Sequence, residues 1–248
     1  MNIVAIIPAR YGSTRFRGKP LAAIHGKPMI QWVYENVVQC GCIDRVIVAT
    51  DNEDIAAAVK DFRGEFCMTS STHATGTDRI AEVAGTLDAR LIVNVQGDEP
   101  LLPPEAIRLA VTPLMEDESI PMGTLKTKLH TESDIADPHI VKVVTDSSGF
   151  ALYFSRAPIP CVQSEYITVD FFKHIGLYVY RKDFLCTFAG LAQSPLEKAE
   201  RLEQLRVLEN GYPIKVVETD SDPVGVDVPD DIARVERLLQ KQIQGDGS

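Results

Sequence analysis

The 248-residue chain carries a formal net charge of -10, with 45% hydrophobic and 24% charged residues. That composition suits a globular protein with a sizeable core, and the acidity argues against nucleic acid or an anionic membrane surface as partner. No apolar run approaches the ~20 residues of a membrane span, no basic region precedes the short apolar start as in a signal peptide, and five scattered cysteines without a CxxC pair read as reduced thiols of a cytoplasmic protein.

Short apolar runs alternate with helical patterns through the first half. Strands are predicted at 3–7 (IVAII), 45–50 (RVIVAT), 66–69 (FCMT) and 91–96 (LIVNVQ), with helices near 28–40, 52–62 and 77–87. Ile30, Val33, Val37 and Val38 recur with the helical period. Apolar strands separated by helices imply a parallel, doubly covered sheet, so the order βαβαβαβ to residue 96 reads as a Rossmann-like α/β half. A further helix is expected to start near Pro103. Residues 141–155 read as a hairpin turning at Asp146–Gly149, 174–181 as a strand, and 194–211 as one helix from Ser194-Pro195 to Gly211. A strand at 213–219 and a helix from Pro229 to Lys241 complete the pattern. The expected organisation is a single domain, 1–248, with an inserted mixed-sheet lobe over about 120–190.

Charge is distributed unevenly. Arg10, Arg15, Arg17, Lys19 and Lys27 all precede the first acidic residue, Glu35. The first strand runs into a loop of small residues (Gly12, Ser13, Gly18) studded with these cations. Small residues let backbone N–H groups approach an anion, and Arg and Lys neutralise it. Such a loop at the end of a first strand is where an open α/β sheet binds nucleotides. Neither GxxxxGK[ST] nor GxGxxG is present, so this is no P-loop and no dinucleotide fingerprint.

Three more segments are candidates. VNVQGDEP (93–100) ends a strand in Gln96, Gly97 and Asp98, and a carboxylate at that edge is placed to hold Mg²⁺ on nucleotide phosphates; the plainer reading is a turn capping the next helix. TSSTHATGTDRI (69–80) opens a helix; it reads either as simple capping or as further contacts from Arg79 and the helix N-terminus. In PVGVDVPDDIARVE (223–236), Asp230 and Asp231 fit an ordinary first helical turn, whereas Asp227 does not and would complete a metal site with Asp98.

The phrases IIPARYGSTRFRGKPL, ATGTDRI, VNVQGDEP, ALYFSRAPIP, HIGLYVYR, LEQLRVLENG and GVDVPDDI occur in an order that resembles the CMP-Kdo synthetases, the 3-deoxy-manno-octulosonate cytidylyltransferases, over about residues 2–240. The resemblance implies a mostly parallel sheet of the nucleotide-sugar transferase type with a smaller dimerisation lobe. It implies transfer of CMP from CTP to the anomeric hydroxyl of Kdo, with release of pyrophosphate, in lipopolysaccharide biosynthesis. It places CTP on Arg10, Ser13, Arg15, Lys19, Thr75, Gly76, Arg79 and Gln96, and gives catalysis to Arg10, Lys19 and Asp98. Mg²⁺ falls to Asp98 and Asp227, and the sugar acid to Arg156, His174, Tyr178, Glu203 and Gln204. It also implies a homodimer. Arg17 stands where similar sequences carry Pro, and Cys161 where an aromatic is common. Those departures bear on the sugar, so a related acid such as 8-amino-Kdo is the alternative substrate. A regulator that binds nucleotide without turnover is the competing non-enzyme reading.

Overall fold

The computed structural model describes residues 2–12, 16–73, 75–163 and 166–245, with side chains described to residue 241. The chain divides into two compact units, Met1–Arg108 with Pro223–Ser248, and Leu109–Asp222. The second unit thus takes in more of the chain than residues 120–190, because the strand following the 194–211 region pairs within it.

In the first unit the elements run β1 (Ile3–Ala9), a 3-10 turn (Lys19–Leu21), the small ribbon β2 (Ala23–Ile24) and β3 (Lys27–Pro28), α1 (Met29–Val38), β4 (Arg45–Thr50), α2 (Glu53–Asp61), β5 (Phe66–Met68), α3 (Gly76–Gly85), β6 (Leu91–Asn94) and the start of α4 (Pro104–Glu116). The expected βαβαβαβ order is present. The strands pair in parallel in the order β6-β1-β4-β5. All seven residues of β1 except Pro8 are buried, and all of β6 is, as a strand covered on both faces requires. From β1 the chain builds outward through β4 to β5, then crosses to the other side of β1 to lay down β6. The order therefore reverses between β1 and β6, and the carboxyl ends of those two strands frame the crevice that such sheets use for ligands.

In the second unit β7 (Met122–Lys128), α5 (Glu132–Ala136), β8 (Lys142–Thr145), β9 (Ala151–Ser155), β10 (Phe172–Arg181), α6 (Lys182–Gly190), α7 (Pro195–Glu200), α8 (Gln204–Glu209) and β11 (Ile214–Glu218) form a mixed sheet in the order β11-β7-β10-β8-β9. The β8–β9 hairpin turns at Asp146, whose Oδ1 accepts the N–H groups of Ser148 and Phe150. The sequence reading includes neither α5 nor α6, and two further features differ from it. MGTLKTK forms β7, a central strand that the reading did not find. The helix expected over 194–211 is two helices, broken at Arg201 (φ 54, ψ 48). There the Leu202 N–H closes back on the Glu197 carbonyl, a Schellman-type ending that buries Leu202. The break sets Glu197 against Arg206, both almost wholly buried, through paired hydrogen bonds, Nε to Oε2 at 2.7 Å and Nη2 to Oε1. Burial pushes the Glu197 carboxyl up; the bonds from Arg206 and the Ser194 N–H outweigh it and hold the group below its ordinary value.

The final helix α9 (Asp231–Gly245) belongs to the first unit. Val235 and Leu239 pack with Ile24, Met29, Leu101 and Val226, and Phe16 and Trp32 join the cluster. The basic loop is thereby anchored by Phe16 on one side and by buried Pro20 on the other. No helix among the described residues is long and apolar enough to cross a membrane.

Two predictions concern the second unit. Removing one partner of a buried ion pair leaves an uncompensated charge, so Glu197→Ala lowers stability by about 3–5 kcal/mol, while Glu197→Leu with Arg206→Met recovers most of it; urea denaturation reads both. His174 on β10 is buried, and burial pushes its pKa from 6.5 down to about 3. The folded chain thus keeps His174 neutral where the unfolded chain takes up a proton, so this contribution is intact above pH 6.5 and is lost progressively as pH falls toward 3. Urea midpoints across that window should fall less steeply in His174→Gln than in the native protein.

Candidate active site

A cleft of about 350 Å³ opens at the carboxyl ends of β1 and β6, lined by Arg10, Lys19, His73, Thr75, Gly76, Arg79, Gln96, Gly97, Asp98 and Asp227 among others. It lies at the reversal of strand order. The sequence-predicted nucleotide residues converge here, except Ser13 and Arg15, which lie outside the described residues.

Lys19 is the hub. Its Nζ donates to Asp98 Oδ2 at 2.5 Å and to the Val226 carbonyl at 2.9 Å, and lies 3.9 Å from Asp227 Oδ1. The lysine side chain is 14% exposed, against 33% for Asp98 and 60% for Asp227, so the ammonium is sunk beneath two more accessible carboxylates. Backbone bonds fix the three parts. The Val226 N–H donates to the Asp98 carbonyl at 2.9 Å, and Asp231 Oδ2 accepts the N–H groups of Asp227 and Val228. Asp231, which reads in sequence as an ordinary first-turn residue, is therefore also the clamp that shapes the turn carrying Asp227. On the other side, Gly18 adopts φ 72 and donates its N–H to the Tyr11 carbonyl, closing the basic loop just before Lys19. Arg17 stacks its guanidinium 5.5 Å from the Tyr11 ring.

The floor permits close approach. A Cβ on Gly97 would stand 3.0 Å from the Pro8 carbonyl oxygen, so only glycine lets the chain leaving β6 lie against the end of β1 without displacing backbone. Asn36 of α1 donates to the Pro100 carbonyl at 2.7 Å and pins the far side of the same turn.

The α3 wall is built by a capping box: Thr75 Oγ1 accepts the Asp78 N–H, and Asp78 Oδ2 accepts the Thr75 N–H. Capping is thus present, and the helix N-terminus also borders the cleft. Arg79 borders it too, but its guanidinium is 4% exposed and bonds Asp51 Oδ2 at 2.9 Å and Thr69 Oγ1. Asp51 was not among the sequence candidates. Its position just after β4, at the carboxyl edge of the sheet, is the signal that could have found it. Gln96 donates to Asn94 Oδ1 at 3.1 Å, and His73 is bonded to Glu82.

The sugar candidates all belong to the second unit. Arg156 Nε donates to the Glu200 carbonyl at 2.8 Å and Nη1 to the Pro138 carbonyl at 3.0 Å, which leaves three of the five guanidinium donors for another acceptor. Wholly buried Lys142 holds the Arg156 carbonyl at 2.7 Å, along with those of Asp137 and Ile140. His174 Nε2 lies 3.0 Å from Thr124 Oγ1. The Thr124 hydroxyl also meets the Ile175 and Leu177 carbonyls at 3.1 and 2.8 Å, where β10 bulges. Its one hydrogen is spent on a carbonyl, so this network assigns the proton of neutral His174 to Nε2. The His174 ring contacts those of Phe154 and Tyr178, at 4.9 and 5.4 Å between centroids. Gln204 is buried at the start of α8, and Glu203 precedes it as the cap.

Two carboxylates drawn to one ammonium form a hard-oxygen donor pair. Mg²⁺ takes one or two carboxylates and completes its shell with phosphate oxygens and water, so Asp98 and Asp227 fit that ion. No cluster of three or more acidic, His or Cys ligands occurs among the described residues, and Mg²⁺ bound with phosphates needs none.

A family profile described as cytidylyltransferase matches residues 4–219. The chain is 61% identical over 248 residues to 3-deoxy-manno-octulosonate cytidylyltransferase of Syntrophotalea carbinolica, covering 97% of this chain and 99% of that protein. It is 56% identical over 251 residues to the enzyme of the same name from Geotalea uraniireducens, covering 97% and 100%. The solved CMP:2-keto-3-deoxy-manno-octonic acid synthetase complexed with CTP matches with a TM-score of 0.94 at 40% identity, over 98% of this chain and 100% of that one. The 4-diphosphocytidyl-2C-methyl-D-erythritol synthase of Anaerococcus prevotii matches at 0.64 with 16% identity, over 96% and 98%, a likeness of fold alone. On matches of this extent, the chain belongs to the cytidylyltransferase family, among its 3-deoxy-manno-octulosonate members.

Proposed function

We propose that the protein transfers CMP from CTP to the anomeric hydroxyl of Kdo, releasing pyrophosphate and forming CMP-Kdo as a lipopolysaccharide precursor. The observation that carries this reading is the Lys19 ammonium held between Asp98 and Asp227 at the β1/β6 crevice. A nucleoside triphosphate needs there what the cleft supplies: cations against phosphate, carboxylates for a divalent ion, and a glycine floor the backbone can approach.

In this reading Lys19 and Arg10 face the phosphates of CTP, with Ser13 and Arg15 of the same loop. As the sugar hydroxyl attacks the α-phosphorus, charge grows on the phosphoryl oxygens, and cations fixed in advance stabilise it without reorganising. Asp98 and Asp227 hold Mg²⁺, which supplies further neutralisation of the phosphates when bound. Thr75, Gly76 and Gln96 border the nucleoside. Arg79, committed to Asp51 and Thr69, shapes that wall from behind. The free donors of Arg156 suit the Kdo carboxylate, and His174, Tyr178, Glu203 and Gln204 are the accompanying sugar residues. A homodimer is part of the proposal; Leu152, Tyr166 and Ile167 expose apolar surface on the second unit, which supports a protein partner there.

Pyrophosphate release with CTP and Mg²⁺ should occur with Kdo and fail with sialic acid; release with 8-amino-Kdo alone would overturn the substrate assignment. Lys19→Ala should lower the rate on the order of 10²-fold or more, by the scale of removed transition-state donors. CTP binding without turnover on any sugar acid would instead favour the regulator reading.

Asp98→Asn and Asp227→Asn should each raise the Mg²⁺ concentration needed for half-maximal activity, and calorimetry should register the same weakening in Mg²⁺-dependent CTP binding. An unchanged Mg²⁺ dependence in both variants would remove these carboxylates from the metal site.

A further inference from the structure

The loop between α1 and β4 carries Cys40-Gly41-Cys42, which the proposed transfer does not use. Their Sγ atoms are 3.2 Å apart and hydrogen-bonded. We propose that Cys40 and Cys42 are an oxidisable dithiol that peroxide closes to an intrachain disulfide.

Three observations carry this. The sulfurs already touch, so closure needs only a small further approach. The residue between them is glycine, and a Cβ placed there would meet nothing within 4 Å, so the backbone has both the conformational freedom and the space to tighten. The two thiols are also unequal in access: Cys40 is 3% exposed, whereas Cys42 is half-buried, so an oxidant meets Cys42 first and Cys40 stands behind as the resolving thiol. The hydrogen bond also couples the protons of the two thiols. The hydrogen bond from the Cys42 thiol pulls the Cys40 thiol from 9.0 down to about 6 against the opposing effect of burial, and Arg108 favours the thiolate while Glu105 beside it opposes. Cys42 keeps its proton correspondingly longer, because that proton is what Cys40 accepts. Near neutral pH the pair therefore holds one proton between two sulfurs.

The chemistry balances with hydrogen peroxide as oxidant. As the Cys42 sulfur attacks one peroxide oxygen, its proton passes to the Cys40 thiolate. The O–O bond breaks, hydroxide leaves and takes a proton from solvent to become water, and Cys42 becomes a sulfenic acid. Cys40 then attacks the Cys42 sulfur, the S–O bond breaks, and the hydroxide takes the Cys40 proton as a second water. The pair has lost two electrons and its one proton, solvent has supplied a second proton, and the peroxide has become two waters. A ring closed across one intervening residue is strained, and strained disulfides are the readily reduced ones, so the step should be reversible by thiols.

The test is peroxide treatment of the folded full-length protein, then denaturation, alkylation and peptide mass analysis. Cys40 and Cys42 should lose label together, in a peptide lighter by two hydrogens, and regain it after dithiothreitol; exposed Cys161 serves as the internal comparison. Cys42→Ser should leave Cys40 labelled at the same peroxide dose, with far-UV circular dichroism unchanged. Full labelling of Cys40 and Cys42 at a dose that oxidises Cys161 would overturn the proposal. So would oxidation of Cys40 in Cys42→Ser as fast as in the native chain.

Discussion

The position of the Lys19 ammonium governs this molecule. A charge sunk to 14% exposure must be compensated, and Asp98, the Val226 carbonyl and Asp227 compensate it. With Lys19 itself they come from three distant stretches of chain: the loop after β1, the loop after β6, and the turn before α9. The ion pair thus ties together the segments that line the cleft. It also presets the cleft's electrostatics. The two carboxylates that would repel each other, and would repel triphosphate, are held in one place by a positive charge already present. In the proposed reaction Asp98 and Asp227 are the pair that would hold a divalent ion and Lys19 the cation that would face phosphate, so groups that serve the fold would also serve the transition state.

Around that hub, polar residues are committed to the fold before any ligand arrives. Arg79 is spent on Asp51 and Thr69, Asn36 on the Pro100 carbonyl, and Asp231 on the turn that carries Asp227. Each holds a residue or backbone segment that lines the cleft rather than reaching into it freely. Preorganisation of this kind puts the ordering cost into folding, where the packing of Val235 and Leu239 against Ile24 and Met29 offsets it, and removes that cost from catalysis. The second unit follows the same logic on a bulged strand. The Thr124 hydroxyl donates to a carbonyl at the bulge and accepts from the His174 ring at once.

Much of this was legible in the sequence because it rests on local pattern. Continuous apolar runs mark β1, β4 and β6; the cation-rich loop and the carboxylate after β6 follow from where strands end. What was not legible rests on tertiary context. β7 is central and buried, yet MGTLKTK carries a glycine and three lysine or methionine side chains that dilute any strand signal. Gly123 has its reason only in the fold, since a Cβ there would sit 2.7 Å from Leu114. The break at Arg201 interrupts an unbroken helical periodicity over 194–211, and it accompanies a buried Glu197–Arg206 pair that joins residues nine apart. Asp231 looked like a helix-start residue and is one; that its carboxylate also shapes the Asp227 turn is visible only when both backbone N–H groups are seen pointing at it.

The Arg79 case shows how residue type and residue role part company. Spacing leaves Arg79 open between capping and ligand contact, the family resemblance puts it beside nucleotide, and the structure places it on the cleft wall. Yet a guanidinium 4% exposed and paired with Asp51 is a neutral unit toward a ligand, contributing shape and hydrogen-bond rigidity more than charge. In the proposed reaction the charge facing triphosphate would come from the loop after β1, where Arg10 is exposed and Lys19 is shared with two carboxylates. The proposed function thereby divides the work of the two walls of the cleft: the α3 side would fix the shape against which a nucleoside rests, and the β1 side would supply the field in which its phosphates react.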